Sequence, residues 1–365
     1  MRIVFVSPKA WLVATRRAGI HGGAELQVTR LARGLAARGH DVVIMTEGEP
    51  ERPAEAVEGV RVKQAWSAEG GLPFFGIFGQ GKSLNAAITA EKPHVVLLRA
   101  ASPFVSFLAD QARREGHRFL FMVSNDSQLD GRYEATSNFR DRDLWHKGLK
   151  KAHGVITQTA DQTKKLKERF GIEGFHVPSA IAPTPDPAPA IIPEHVFWAG
   201  RFEEPKRPHL LLEIARKAPE LPFKVAGWVP AKSDYAARFL AEAKELPNVE
   251  LVGRLGYDAM DTTYMKSIAL LSTAGPEGIC NTFLESWRLG LPVISLTADP
   301  DEVICRYDLG LHSDDTGKVV DQLHSLRDDF TRRAIVSGNA WRYMKQHDER
   351  AVVDRLETYL KTAVA

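Results

Sequence analysis

The sequence predicts an α/β protein built from two doubly wound parallel-sheet domains. Three observations point to this. Short apolar runs alternate with amphipathic helical stretches along the whole 365-residue chain. The runs are apolar throughout, as strands covered on both faces require, and do not alternate in and out. The alternation stops at a proline-rich stretch near the middle of the chain and then starts again.

The elements follow in order. Ile3 to Ser7 reads as a buried strand. Glu25 to Arg38 reads as a helix, with Leu26, Leu31 and Leu35 on one side and Arg30, Arg33 and Arg38 toward solvent. Gly39 closes it, since glycine enters the left-handed conformation without a Cβ penalty. Further strands are predicted at Val42 to Thr46, Val60 to Gln64, Val95 to Leu98, Phe119 to Val123 and Val155 to Thr157. From Pro178 to Pro193 the chain reads PSAIAPTPDPAPAIIP, six prolines in sixteen residues. Proline lacks the amide N–H and turns its predecessor away from helix, so an extended connector is expected.

After the connector come strand Val196 to Ala199, helix Pro208 to Lys217, strand Phe223 to Gly227 and helix Tyr235 to Glu245. Strand Val249 to Val252, a helix near Met260 to Lys266, strand Ala269 to Ser272, helix Thr282 to Leu289 and strand Val293 to Leu296 complete the pattern. The amphipathic stretch Glu349 to Leu360 reads as a helix that docks at the domain junction. The expected organisation is therefore a Rossmann-like domain over residues 1–178, a linker over 179–193, a second Rossmann-like domain over 194–347 and a terminal helix over 348–365. Two such domains are expected to face a cleft, with ligands beyond the carboxyl ends of the strands.

Composition narrows the function. Apolar residues make up 44% and charged residues 26%, with a net charge of +2, so nothing favours nucleic acid as a partner. Lysines gather at 147, 150 and 151 and at 164, 165 and 167, which reads either as a solvated helix face or as a peripheral contact with an anionic membrane. Cys280 and Cys305 form no ligand motif, which argues against structural zinc and against a disulfide framework. The first residues pass straight into a strand, and no apolar run approaches the ~20 residues of a membrane span. The expectation is a cytoplasmic protein.

Four segments carry candidate chemistry. Pro276 to Gly290 follows a strand and enters a helix, with Asn281 as the expected N-cap and Gly290 at the exit. Amide groups at a helix start favour an anion, and Gly278 allows close approach of the backbone. Glu277 and Glu285 read either as acceptors for sugar hydroxyls or as simple complements to the helix dipole. Gly200 to Pro208 follows the first strand of the second half and carries Arg201, a planar fork for phosphate, and Lys206, a mobile charge. A charged surface loop explains those residues equally. His21-Gly22-Gly23-Ala24-Glu25 precedes the first long helix and reads as an anion site or a plain turn. Phe121 to Ser127 ends a strand and presents Asn125 and Asp126 as groups for sugar or acceptor recognition, or as loop caps.

Two glutamates with seven residues between them, the first followed by glycine, resemble the E-x7-E signature of retaining GT-B glycosyltransferases of the family 4 type. The Gly200-Arg201…Lys206 loop resembles that family's G-R-x4-K loop, and Gly22-Gly23-Ala24-Glu25 resembles its G-G-x-E helix start. The resemblance implies that Glu285 binds the donor ribose and that Glu277 binds the transferred sugar. It implies that Gly278, Ile279, Cys280, Asn281 and Thr282 lie along the donor, with Gly22, Gly23 and Gly200 contacting it. Arg201 and Lys206 would stabilise the leaving diphosphate. The family often carries glycine where Cys280 stands, valine or leucine near Asn281, and histidine where Asn125 stands. The implied substrate is a nucleoside diphosphate sugar, UDP or GDP, with a saccharide or lipid-linked saccharide as acceptor. No tightly bound cofactor and no metal are implied, and the setting would be polysaccharide or glycoconjugate synthesis. A sugar-nucleotide epimerase or phosphorylase of the same architecture is the neighbouring alternative.

A rival pattern is Gly76-Ile77-Phe78-Gly79-Gln80-Gly81-Lys82-Ser83, which matches the phosphate-loop spelling G-x4-G-K-S of nucleoside triphosphatases. No strand leads into it, so a mobile loop admitting the acceptor is the expectation. Asp141-Arg142-Asp143 has a D-x-D spelling but sits in a charged helical stretch, and it reads as surface. Asp299-Pro300-Asp301-Glu302 reads as a turn and N-cap.

Overall fold

The computed structural model describes residues 1–17, 22–67, 76–229, 233–345 and 347–364. The chain forms two compact units, Met1–Ile181 together with residues from 349 onward, and Ala182–Asp348. The two are Rossmann-like parallel-sheet α/β domains.

In the first unit the strands are β1 Arg2–Val6, β2 Asp41–Glu47, β3 Glu55–Val57, β4 Val60–Trp66, β5 Val95–Arg99, β6 Arg118–Met122, β7 Gly154–Thr157 and β8 Gly174–His176. They form one sheet in the order β3-β4-β2-β1-β5-β6-β7-β8. All neighbours run parallel except β3, which pairs antiparallel with β4 at the edge. Successive residues of β1 enter opposite faces: Ile3 and Phe5 pack with Leu31, Leu35 and Ile44, while Val4 and Val6 pack with Leu84, Leu108 and Trp145. Both faces are covered, so every position of the strand is apolar.

The terminal helix Glu349–Val364 belongs to this unit. It buries Val352, Val353, Leu356 and Leu360 in the same cluster as Ile3 and Phe5, each contributing about 1.5–3 kcal/mol of apolar burial. Tyr359 stacks on Phe175 with ring centroids 4.1 Å apart, and Glu357 takes Arg38 at 2.9 Å and His40 at 3.1 Å. Gly34 is required beneath it, because a Cβ there would lie 2.5 Å from Val353.

The second unit holds β9 His195–Arg201, β10 Phe223–Trp228, β11 Val249–Gly253, β12 Ser267–Ser272, β13 Val293–Ser295 and β14 Gly310–His312. All are parallel, in the order β11-β10-β9-β12-β13-β14. The helix Pro208–Lys217 opens on proline, whose missing N–H costs nothing at a first helical position, and it buries Leu211, Leu212, Ile214 and Ala215.

Two readings change here. The proline-rich stretch carries no helix or strand, yet residues 182–193 are fastened to the second unit and do not form a free connector. Ile192 N–H donates to Met265 O at 2.7 Å, Trp341 Nε1 donates to Pro185 O at 2.8 Å, and Lys345 pairs with Asp186 at 2.6 Å. The segment Gly76 to Ser83 is not a loop, since it lies within the helix Gly76–Glu91. The helix formers that follow it, Leu84, Ala86, Ala87, Ala90 and Glu91, carry the helix on despite its three glycines, and Gly81 packs toward the Phe107 ring.

Candidate functional site

In the second unit the chain builds β9, β10 and β11 outward in one direction, then returns to place β12 on the other side of β9. The loops leaving β9 and β12 therefore part at the switch point of the sheet, where open α/β folds bind ligands. These two loops carry the two strongest sequence segments. Lys206 leaves β9, Glu277 leaves β12, and the Lys206 ammonium lies 2.7 and 2.9 Å from the two Glu277 carboxylate oxygens. Both side chains remain about a quarter exposed, at 25% and 26%, so a ligand can reach the pair.

Cys280 completes the group. Its Sγ lies 2.9 Å from Glu277 Oε1, and burial together with the Glu277 charge pushes the thiol well above its ordinary value, leaving a neutral S–H donor. Burial alone would lower the Lys206 ammonium, but the Glu277 carboxylate outweighs it and holds it above the usual lysine value. Lys206 is thus a fixed cation. A small cavity between the strands is lined by Trp198, Lys206, Thr273, Glu277, Cys280 and Thr282. Four of the expected site residues therefore share one cavity.

The loops are held by Arg207, a residue the sequence reading passed over. Its backbone is left-handed, at φ 46°, and its guanidinium donates to Thr273 O and Ala274 O at 2.8 Å each and to Thr297 Oγ1. One side chain thereby ties the loop after β9 to the loops after β12 and β13. Thr273 Oγ1 donates to Lys206 O at 2.7 Å and accepts from the buried Trp198 Nε1 at 2.9 Å, and Gly275 N–H donates to Pro205 O at 2.9 Å. Such a site is ordered before any ligand arrives.

Other expected residues divide. Arg201 is half exposed and pairs with Glu203 at 2.8 Å, yet its charge acts against that of Lys206, so the two share one electrostatic neighbourhood. Gly200 lies within β9, where a Cβ would meet the Trp198 ring at 2.9 Å. Gly278 and Ile279 lie in the loop before the helix Asn281–Trp287. Asn281 is the first residue of that helix and not its N-cap. Cys280 takes the cap position, and no side chain caps this helix start. Glu285, one turn further on, accepts from Tyr264 Oη at 3.4 Å. Tyr264 is fully buried, and burial together with the Glu285 charge raises its phenol well above its ordinary value, so it stays a neutral donor. Arg288 of the same helix end pairs with Asp261. Tyr264 and Asp261 both lie on the helix Tyr257–Met265, which locks the Glu285 helix in place.

In the first unit Gly22 caps the helix Gly23–Ala36, and a Cβ on Gly22 would meet the Glu25 carboxylate at 2.6 Å. Glu25 thus folds over the helix start that was expected to face an anion. His21 lies outside the described residues. Asn125 accepts from Ser127 Oγ, and Asp126 accepts from Gln162 Nε2 at 2.9 Å and Lys165 Nζ at 3.2 Å. Asp126 is therefore largely engaged with the helix Ala160–Phe170. The switch point of this sheet falls between β1 and β5, and it holds a group that the sequence reading missed. Arg99, at the end of β5, is buried with one hydrogen bond, to Gln158 Oε1 at 2.7 Å, and its Nε has no partner. Burial pulls its guanidinium down to about 10. Ala100 follows with φ 79°, and Ser102 Oγ is buried without a partner. No motif marks Arg99, since its position depends on strand order.

The remaining candidates resolve by location. A phosphate loop wraps its amides around the anion ahead of its helix, but here the whole motif lies inside the helix Gly76–Glu91, where the amides from Gln80 onward serve the helix and Lys82 and Ser83 are exposed on it. The triphosphatase reading is overturned on that ground. Asp141 lies in the helix Phe139–Lys151 with its amide bonded to Asn138, and Asp143 pairs with Lys147 at 2.7 Å. The basic clusters are largely neutralised: Lys151 pairs with Asp110, Lys165 with Asp126 and Asp161, and Lys167 with Glu173. Among the described residues no helix is long and apolar enough to cross a membrane.

Comparison with known proteins agrees with this architecture. Glycosyltransferase family 4 matches residues 21–181, and glycosyl transferases group 1 matches residues 193–334. No curated protein matches the chain in sequence. Among solved structures, sucrose-phosphate synthase from Thermosynechococcus elongatus superposes with a TM-score of 0.81 at 17% identity, covering 99% of this chain and 98% of its own. Anabaena HepE in complex with UDP-glucose gives 0.75 at 14% identity, covering 99% and 100%. The lipopolysaccharide outer core galactosyltransferase WaaB, in its apo form, gives 0.67 at 15% identity, covering 99% of each chain.

Proposed function

The chain belongs to the GT-B glycosyltransferases, and we propose that it moves a hexosyl group from a nucleoside diphosphate sugar to a hydroxyl of a saccharide or lipid-linked saccharide. The observation that carries this reading is the Lys206–Glu277 pair at the switch point between β9 and β12, in a cavity shared with Cys280 and Thr282. A paired cation and carboxylate suit a donor with an anionic diphosphate and a hydroxyl-rich sugar. The carrier is UDP or GDP, and the HepE complex with UDP-glucose, in a protein of the same fold, supports UDP.

In this reading the diphosphate takes Lys206 and Arg201, and Glu277 turns to the sugar hydroxyls. Glu285, oriented by Tyr264, holds the ribose. Gly200, Gly278, Ile279, Cys280, Asn281 and Thr282 line the donor. The bond from the anomeric carbon to the diphosphate breaks, and the acceptor oxygen bonds to that carbon on the same face. The acceptor proton passes to the departing phosphate oxygen. Configuration is retained without a covalent enzyme intermediate, and the diphosphate charge is met by Lys206 and Arg201 in place of a metal. Asn125 and Asp126 take part in sugar or acceptor recognition. The setting is cell-surface polysaccharide or glycoconjugate synthesis, in line with the named role of WaaB in the lipopolysaccharide outer core.

The test is incubation with UDP- and GDP-sugars together with saccharide acceptors, with products identified by NMR. The proposal requires acceptor-dependent release of the nucleoside diphosphate and a product with the donor's anomeric configuration. Isomerisation of the donor alone, or phosphate-dependent cleavage of a glycoside, would instead identify an epimerase or a phosphorylase.

A further inference from the structure

Asp299, Cys305 and His312 come from three different elements of the second unit and present one oxygen, one sulfur and one nitrogen within 4.8 Å of one another. Asp299 lies in the loop after β13, Cys305 on the helix Val303–Tyr307, and His312 at the end of β14. The Asp299 carboxylate is 4% exposed and is fixed by the Ile304 amide on Oδ1 at 2.7 Å and the Cys305 amide on Oδ2 at 3.2 Å. His312 Nε2 lies 3.0 Å from Thr297 O. A carbonyl only accepts, so Nε2 carries the proton, and in the neutral ring Nδ1 presents a lone pair. That lone pair faces Asp299 Oδ2 at 4.0 Å. The Cys305 thiol donates to the Asp299 carboxylate, so an oxygen, a sulfur and a nitrogen converge on one point.

We propose that Asp299, Cys305 and His312 bind a zinc-class divalent ion. One carboxylate, one thiolate and one imidazole are a ligand set that such ions accept in tetrahedral geometry, with water in the fourth position. The Thr297 carbonyl plays the orienting part that metal-bound histidines require on their other nitrogen. Binding replaces the Cys305 proton with the ion and releases that proton to solvent. The site lies apart from Lys206 and Glu277, and its ion does no chemistry on the donor. Thr297 joins the two regions, because its hydroxyl accepts from Arg207 while its carbonyl holds His312. The ion braces the loop after β13 against β14 and so steadies one anchor of the Arg207 clamp.

The experiment is titration of the chelator-stripped full chain with Co²⁺, read by absorption. A thiolate-to-cobalt charge-transfer band that saturates at one ion per chain, with the intense visible bands of four-coordinate cobalt, is expected, and Zn²⁺ should displace it. Cys305→Ser should abolish the charge-transfer band, His312→Ala should weaken affinity by more than about tenfold, and Cys280→Ser should leave both unchanged. Circular dichroism of each variant guards against loss of fold. Absence of the band in the wild-type chain, or a band that survives Cys305→Ser, overturns the proposal. A site in which His312 is protonated and simply paired with Asp299 gives the first of these results.

Discussion

Lys206 Nζ lies 2.7 Å from Glu277 Oε2 although 71 positions separate the two residues in the chain. Adjacent parallel strands bring them together, and the Arg207 clamp holds the loops that carry them. The pair is only partly buried, so removing it costs little stability and mainly removes charge from the site. Lys206→Ala is expected to lower kcat by about a hundredfold to a thousandfold, the range for losing one preorganised group at a developing charge. Steady-state kinetics with thermal melting checks this: a comparable loss of melting stability with kcat intact would contradict it.

Tyr264→Phe removes the hydroxyl that donates to Glu285 while keeping the buried ring. A neutral donor to a carboxylate is worth about 1.5–3 kcal/mol at most, and this contact is long. The KM for donor is expected to rise several-fold with kcat nearly unchanged. An equal fall in kcat would show that Glu285 acts on the reacting sugar.

Arg99→Met replaces a buried guanidinium that has no carboxylate on it. Exchanging an uncompensated buried charge for an apolar chain of similar length is neutral or stabilising. The melting temperature is therefore expected to rise, and activity to fall if the switch point of the first sheet serves a ligand. A drop in melting temperature would assign Arg99 a purely structural role.

His195 gives the fold an acid limit. Burial, with Lys224 adding to it, lowers this imidazole to about 4 in the folded chain, against about 6.5 when unfolded. Between those values the unfolded chain binds the extra proton, so stability is full above about pH 6.5 and is lost as pH falls toward 4, by up to about 3 kcal/mol. Burial also lowers His117 and His153, with the same sign. Urea midpoints measured across this range should fall with acid, and His195→Gln should make the slope shallower. An unchanged slope would contradict the assignment.

Much of this was legible in the residues. The strands of both sheets read as apolar runs because both faces are covered, as Ile3 and Val4 illustrate by entering opposite cores. Lys206 and Glu277 were legible because each follows a predicted strand in a recognisable spacing. Arg207 was not, since its task depends on a left-handed backbone and on carbonyls from other loops. β3, β8 and β14 are three residues each, too short for any periodicity. The Gly76 to Ser83 spelling misled because a motif has meaning only in the loop that forms it, and here a helix runs through it. The proline-rich stretch misled in another way: proline forbids helix but does not forbid packing, and Trp341 and Lys345 hold the segment down.

The central claim is that a nucleoside diphosphate sugar binds at the Lys206–Glu277 pair. Calorimetric titration of the wild-type chain and of Lys206→Ala with a panel of UDP- and GDP-sugars, with ATP alongside, tests it most directly. Saturable binding of at least one donor to the wild-type chain is expected, with binding weakened by more than about tenfold in Lys206→Ala, as loss of a charge-assisted contact requires. Equal affinity in both chains, or binding of ATP with no response to any sugar nucleotide, would contradict it.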